Sequence, residues 1–270
     1  MMESVLVGGA AAWGLAAGGL LPRAAYRFSA PSGEAWRAEC PGGHPVPGWL
    51  GRARCRKCTP AGAVTGGYVS GPAGDVTTVT GYHRKPTVLR YGPSGLVLAV
   101  VTALVCALLA AATGVRPELG VWLLLAPAGV LLAVVDLRVR RLPDPLTLPL
   151  AGAALALLGV TALVPGHAGQ WTTALLGTLA LGTGYFTLFL VNPAGMAFGD
   201  VKLALGAGAV LGWYGWPTLM LGTFAGFLLG ALYGGVLVLA GRAGRGTAIA
   251  FGPFLLGGVF LGLLAGAYAA

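Results

Sequence analysis

Apolar runs of about twenty residues alternate with short stretches rich in Gly, Pro and Arg along most of the chain. The first covers residues 5–21. A polar segment follows to residue 93, and further runs cover 95–113, 119–135, 146–164, 172–192, 201–213, 218–240 and 252–268. A helix needs about 20 apolar residues to cross the hydrocarbon core. The pattern therefore predicts an all-α polytopic membrane protein of about eight transmembrane helices, with a small loop-rich domain after the first helix. The expected division is a first helix in 1–21, a loop-rich domain in 22–94 and a multi-helix membrane domain in 95–270. The 201–213 run is the shortest and holds Gly206, Gly208 and Gly212; if it does not cross, the count is seven. Arg23 and Arg27 follow the first run without a small-x-small cleavage site, so it reads as a retained helix rather than a signal peptide.

Composition strengthens this picture: 56% of residues are hydrophobic and 9% charged, and 47 are glycine. Small residues let membrane helices approach closely. A net charge of +9 would point to nucleic acid in a soluble chain; here the expected partner is the lipid bilayer, and the basic residues report orientation. With the N-terminus outside, the loops at 22–94, 136–145, 193–202 and 241–251 face the cytoplasm and carry 10, 3, 1 and 2 of the 17 basic residues, leaving only Arg116 outside. That asymmetry is the expected one for a plasma-membrane protein.

Only eight residues are acidic, and two of them, Asp136 and Asp200, stand at the ends of apolar runs. Ionisable groups at membrane depth are costly and mark function. Two helices separate them, which puts both on the cytoplasmic face although they are 64 residues apart in sequence. Neighbouring carboxyls resist double ionisation, so one can activate water while the other polarises a carbonyl. Gly199 allows close backbone approach beside Asp200. Structural roles compete: Asp136 paired with Arg138 or Arg140, and Asp200 as a helix N-cap. Asp144, just before Pro145, reads as a cap or Asx-turn. Lys202 fits a snorkelling or ion-pairing residue, or one that supports substrate or orients Asp200.

The flanks of both aspartates resemble those of the prepilin peptidases, GxGD-type aspartic proteases that process type IV pilin-like precursors. Asp136-Leu137-Arg138-Val139-Arg140-Arg141-Leu142-Pro143-Asp144 resembles the family's first catalytic segment, and Gly195-Met196-Ala197-Phe198-Gly199-Asp200-Val201-Lys202-Leu203 the second. Ile249-Ala250-Phe251-Gly252-Pro253-Phe254-Leu255 resembles its turn before the last helix. Ala197 departs from the pattern, standing where the family has the first glycine. The resemblance implies an aspartic endopeptidase of the bacterial plasma membrane. Asp136 and Asp200 would be catalytic, Gly199, Lys202, Phe251, Gly252 and Pro253 would support substrate, and cleavage would fall at the cytoplasmic face between a basic leader and an apolar helix. It implies no cofactor for proteolysis. S-adenosylmethionine enters only if the chain also retains N-methylation of the new N-terminus.

Cys40, His44, Cys55 and Cys58 are spaced Cys-x3-His-x10-Cys-x2-Cys. The last two form a good zinc half-site, because a tight turn presents both thiolates to one ion. Relatives of the resembled family carry two Cys-x2-Cys pairs here; this chain lacks the second cysteine of the first pair, and His44 takes the fourth place. The alternative is a set of reduced, idle thiols. Cys106, His83 and His167 gain no functional role. Other function classes remain: a transporter or channel using buried acids as proton or cation sites, or a membrane scaffold without activity.

Overall fold

The computed structural model describes residues 2–31, 33–58, 89–193, 195–242 and 250–270. Eight helices are present among them: α1 (Met2–Phe28), α2 (Gly95–Thr113), α3 (Glu118–Val139), α4 (Asp144–Thr161), α5 (Trp171–Val191), α6 (Phe198–Gly212), α7 (Trp216–Leu239) and α8 (Gly252–Ala269). Two strands of two residues, β1 (Arg54–Cys55) and β2 (Leu89–Arg90), pair antiparallel between α1 and α2. The chain is an all-α polytopic membrane protein. Seven helices are long and apolar enough to span a membrane. His83, most of the segment from 60 to 93, Arg245 and Ile249 lie outside the described residues.

The exception in length is α6. Its 15 residues rise about 22 Å, short of a hydrocarbon core about 30 Å thick. This helix can be short because protein surrounds it. Val201, Leu203, Ala204 and Ala207–Gly212 are all buried, and α4, α5, α7 and α8 pack around it. By contrast α7 turns Leu221, Phe224, Leu228, Leu232 and Val236 outward, as a helix bathed in lipid does. Small residues set the closest crossings. A Cβ on Gly177 of α5 would fall 2.5 Å from the Gly208 carbonyl oxygen of α6, so the two backbones are in direct contact at that point.

Other boundaries differ from the sequence expectation at the helix ends. The first helix continues past Leu21 to Phe28, with Pro22 inside it. Likewise α3 continues beyond residue 135 to Val139, so Asp136 lies in its last turn rather than in a loop. Apolar runs measure the stretch buried in lipid, whereas a helix ends where its hydrogen bonds do. In α3 that end is marked by Arg140 in the left-handed region (φ 52°), with its N–H donating to the Asp136 carbonyl at 2.8 Å.

Candidate active site

Two helix ends deliver the acids. Asp136 occupies the last turn of α3, and Asp200 the first turn of α6, three residues past its N-cap Ala197. Both are 4% exposed, and both border one cavity of about 190 Å³ that Arg140, Leu142, Phe198 and Gly199 also line. The two carboxyls are near enough for their charges to interact. The structure thus brings together two carboxyls from different helices at the rim of the bundle. Asp200 is not the N-cap, which is Ala197, but its carboxyl accepts the Ala197 backbone N–H and so ties down the start of α6. Asp136 accepts a hydrogen bond not from Arg138 or Arg140 but from the Gly252 N–H at 3.0 Å.

That bond gives the third motif a specific contact. Gly252 opens α8, so its N–H is among the helix-terminal donors that lack an intrahelical acceptor. A Cβ at Gly252 would stand 2.7 Å from Asp136 Oδ2. Only glycine allows the carboxylate to sit against this helix end without displacement. Phe251 caps α8 and packs on Phe227 with ring centroids 5.2 Å apart, and Pro253 follows at the first turn. Gly199 is similarly confined: a Cβ there would lie 3.1 Å from the Leu142 Cβ, so the start of α6 closes tightly on the segment after α3.

Lys202 and Asp144 form an ion pair at 2.7 Å. Asp144 is the first residue of α4 and caps nothing with its side chain, contrary to the cap or Asx-turn expected of it. Its carboxylate instead reaches across the cavity to Lys202 of α6, whose ammonium also lies 4.9 Å from the Phe198 ring centre. No sequence signal joined these two residues, since 58 positions separate them. One turn deeper than Asp136, a second cavity of about 250 Å³ runs between α2, α3, α4, α6 and α8. Ala133, Thr147 and Pro253 line its near end and Trp122 its far end.

The four metal-ligating candidates also converge. The ligand atoms of Cys40, His44, Cys55 and Cys58 all lie within 4.8 Å of one another. Cys40 Sγ is 3.4 Å from Cys58 Sγ, and His44 Nδ1 is 3.7, 3.7 and 3.4 Å from the sulfurs of Cys40, Cys55 and Cys58. A tetrahedral ion with bonds of about 2.3 Å spaces its sulfurs about 3.8 Å apart, so this set fits zinc. Burial raises the Cys40 thiol, but N–H donors from His44 and Gly42 outweigh it and bring the group down to about 6. Burial and the nearby Cys40 and Cys55 sulfurs push Cys58 up to about 12. A dication relieves this crowding of negative sulfur. Gly42 leaves room for the Cys58 sulfur, which a Cβ there would meet at 2.6 Å. The cluster packs on Tyr26 at the end of α1, whose hydroxyl donates to the Glu39 carbonyl at 2.8 Å.

Comparisons with known proteins reach across this part of the chain. The model of the type IV leader peptidase family matches residues 123–235. A prepilin leader peptidase/N-methyltransferase of Stutzerimonas stutzeri is 34% identical over 139 residues, 51% of this chain and 47% of that protein. The protein of the same name from Escherichia coli (strain K12) is 34% identical over 169 residues, 62% of this chain and 72% of that one. One from Burkholderia pseudomallei (strain 1026b) is 30% identical over 243 residues, 82% and 65% of the two chains. The chain spans about half the length of the first curated relatives it matches. No solved structure matches.

Proposed function

This chain belongs to the type IV leader peptidase family, and on that premise we propose that it is an aspartic endopeptidase that removes leader peptides from prepilin-like precursors. The observation that carries the reading is the meeting of Asp136 and Asp200, from separate helices, at one cavity. In the reaction one carboxylate takes a proton from water as the water oxygen bonds to the scissile carbonyl carbon. The other carboxylic acid gives its proton to the carbonyl oxygen. The tetrahedral intermediate then collapses: the first carboxyl returns the proton it took to the departing amine nitrogen as the C–N bond breaks, and the second regains one from the intermediate's hydroxyl. Gly252 holds Asp136 in place, and Phe251 and Pro253 frame it. Lys202 supports the substrate indirectly, through the cavity wall it forms with Asp144. The deeper apolar cavity suits the hydrophobic segment that follows the cleavage point. The transporter alternative has no support in the family match.

The basic-residue asymmetry supports a plasma-membrane orientation with the N-terminus outside and the aspartates at the cytoplasmic face. Cys40, His44, Cys55 and Cys58 hold a zinc ion that organises the loop-rich domain in 22–94, apart from the membrane domain in 95–270. The ion takes no part in hydrolysis, since the carboxyl pair supplies both base and acid. Methyl transfer, with the S-adenosylmethionine it consumes, has no residue assigned to it in this chain.

The test is cleavage of a purified precursor, with a basic leader and an apolar helix, by the protein in lipid vesicles. Asp136→Asn and Asp200→Asn should each lower the rate at least a thousandfold, on the order of the loss seen when a catalytic unit is broken, with abundance and insertion unchanged. Persistent cleavage by either variant rejects the two-carboxylate mechanism.

A further inference from the structure

Tyr185 of α5 is 2% exposed, and its hydroxyl has no hydrogen-bond partner among the described residues. An unpaired buried hydroxyl is costly, and each one in a native structure calls for an explanation. Its position along the bundle supplies one. Helices α5 and α6 run antiparallel in close contact: Gly177 meets Gly208, Gly182 meets Leu205, and the Phe189 and Phe198 rings lie 5.4 Å apart. That register sets Tyr185 level with residues 200–202. Its ring packs on Phe227 at 5.6 Å and on Phe251 at 6.2 Å, and Phe251 immediately precedes the Gly252 whose N–H serves Asp136. The charge of Asp200 reaches the hydroxyl.

The two aspartates are unequally furnished. Asp136 has the Gly252 N–H of another helix, whereas the hydrogen bond to the Asp200 carboxyl comes from Ala197, at the start of its own helix. When substrate fills the cavity and expels water, a carboxyl held only from its own helix start loses the solvation that completed its hydrogen bonding. We propose that Tyr185 is the positioning residue for Asp200, its O–H donating to the Asp200 carboxyl in the substrate-loaded site as the Gly252 N–H does to Asp136. The inference rests on the peptidase reading above. It assigns the buried hydroxyl a partner, and gives the Asp200 carboxyl a donor from a neighbouring helix once water has left the cavity. The Phe227 and Phe251 rings pack against the phenol and hold it at this level of the bundle.

The experiment compares Tyr185→Phe with the wild type in the vesicle cleavage assay, recording kcat, KM and the pH profile of kcat. Phenylalanine keeps the ring and its packing and removes only the donor. The expected result is a kcat lower by roughly tenfold to a hundredfold, the range for a lost hydrogen bond to a charged group. KM should stay within about twofold and the limbs of the pH profile should move, because Asp200 has lost its partner. Phe227→Leu loosens the same ring stack with the hydroxyl in place and should leave the pH profile unmoved. A Tyr185→Phe enzyme with the kcat and profile of the wild type overturns the inference. So does an equal fall in kcat in both variants with neither profile shifted, which would mean packing alone. Wild type and Asp200→Asn are run alongside. Cleavage by the first and its absence in the second secure the underlying reading, so an unimpaired Tyr185→Phe then counts against the tyrosine alone.

Discussion

Glu118 opens α3 and Asp136 lies in its last turn, about 27 Å apart along one helix, and both carboxylates are buried. Their surroundings differ completely. Glu118 is fully enclosed: its Oε1 accepts the Ala168 N–H at 3.2 Å from the α4–α5 connection and the Tyr214 hydroxyl at 3.5 Å from the α6–α7 connection. Trp122 Nε1 in turn donates to the Tyr214 hydroxyl at 3.3 Å. Here a carboxylate is used as a knot that ties three connections at one end of the bundle. Asp136 accepts one backbone N–H and otherwise faces a cavity with a second carboxyl beside it. Burial of an acid in a membrane protein is thus not by itself a mark of catalysis. What separates the two is the surroundings: Glu118 is shut in, with two donors on Oε1 and no partner for Oε2 among the described residues, whereas Asp136 faces open space and another acid.

Four substitutions sharpen that contrast. The largest effect is expected from Gly252→Ala, whose new Cβ would stand 2.7 Å from Asp136 Oδ2. It should lower kcat by roughly ten- to a hundredfold, because a displacement near 1 Å misaligns a reacting pair, with little change in thermal stability. Full activity in this variant would mean that Asp136 needs no support from α8. Next, Glu118→Leu strands the Ala168 N–H and the Tyr214 hydroxyl and should cost about 1–3 kcal/mol of stability. Thermal unfolding in detergent reads this, while cleavage per folded molecule should hold; a selective loss of kcat would show that the two ends are coupled. Third, replacing Cys55 and Cys58 together with Ser should remove bound zinc by elemental analysis and lower abundance, with the cleavage rate per folded molecule changed less than about twofold. Chelation that stops cleavage in folded protein would join the two sites. The smallest effect belongs to Asp144→Asn. Its carboxylate is 61% exposed, so the pair with Lys202 is screened and contributes at most about 1 kcal/mol. Cleavage should remain within a few-fold of wild type at low and high salt.

Glu118 also shows where sequence reading stopped. Like Asp136 it abuts an apolar run, but it precedes one and lies beside Arg116, the sole basic residue assigned to the outer face, so nothing in the chain itself distinguished a knot from a surface charge. Asp136 and Asp200 were found because they are scarce acids in long apolar context with extended flanks. The Gly252 N–H bond was out of reach, since it joins residues 116 positions apart through backbone atoms that carry no sequence signature. The Asp144 expectation failed for a related reason: local rules favoured a cap, and Lys202 offered a stronger partner from another helix. Tyr185 left no trace at all, being one aromatic residue among many on an apolar helix.

The sequence by itself determined the membrane architecture and the two aspartates, because apolar length and the cost of buried charge act locally and register residue by residue. It also set the ligand chemistry of the Cys40–Cys58 cluster, whose members fall within 19 consecutive residues. Only the tertiary structure decided that α6 is a short central helix walled by others. The same holds for the register that brings Tyr185 level with Asp200, and for the glycine-tipped helix end that meets Asp136 when Glu118 has no such neighbour. Those outcomes depend on which helices pack together and at what register. In a bundle whose helices are apolar on every side, shape complementarity between small residues sets that packing, and hydrophobic patterning leaves it open.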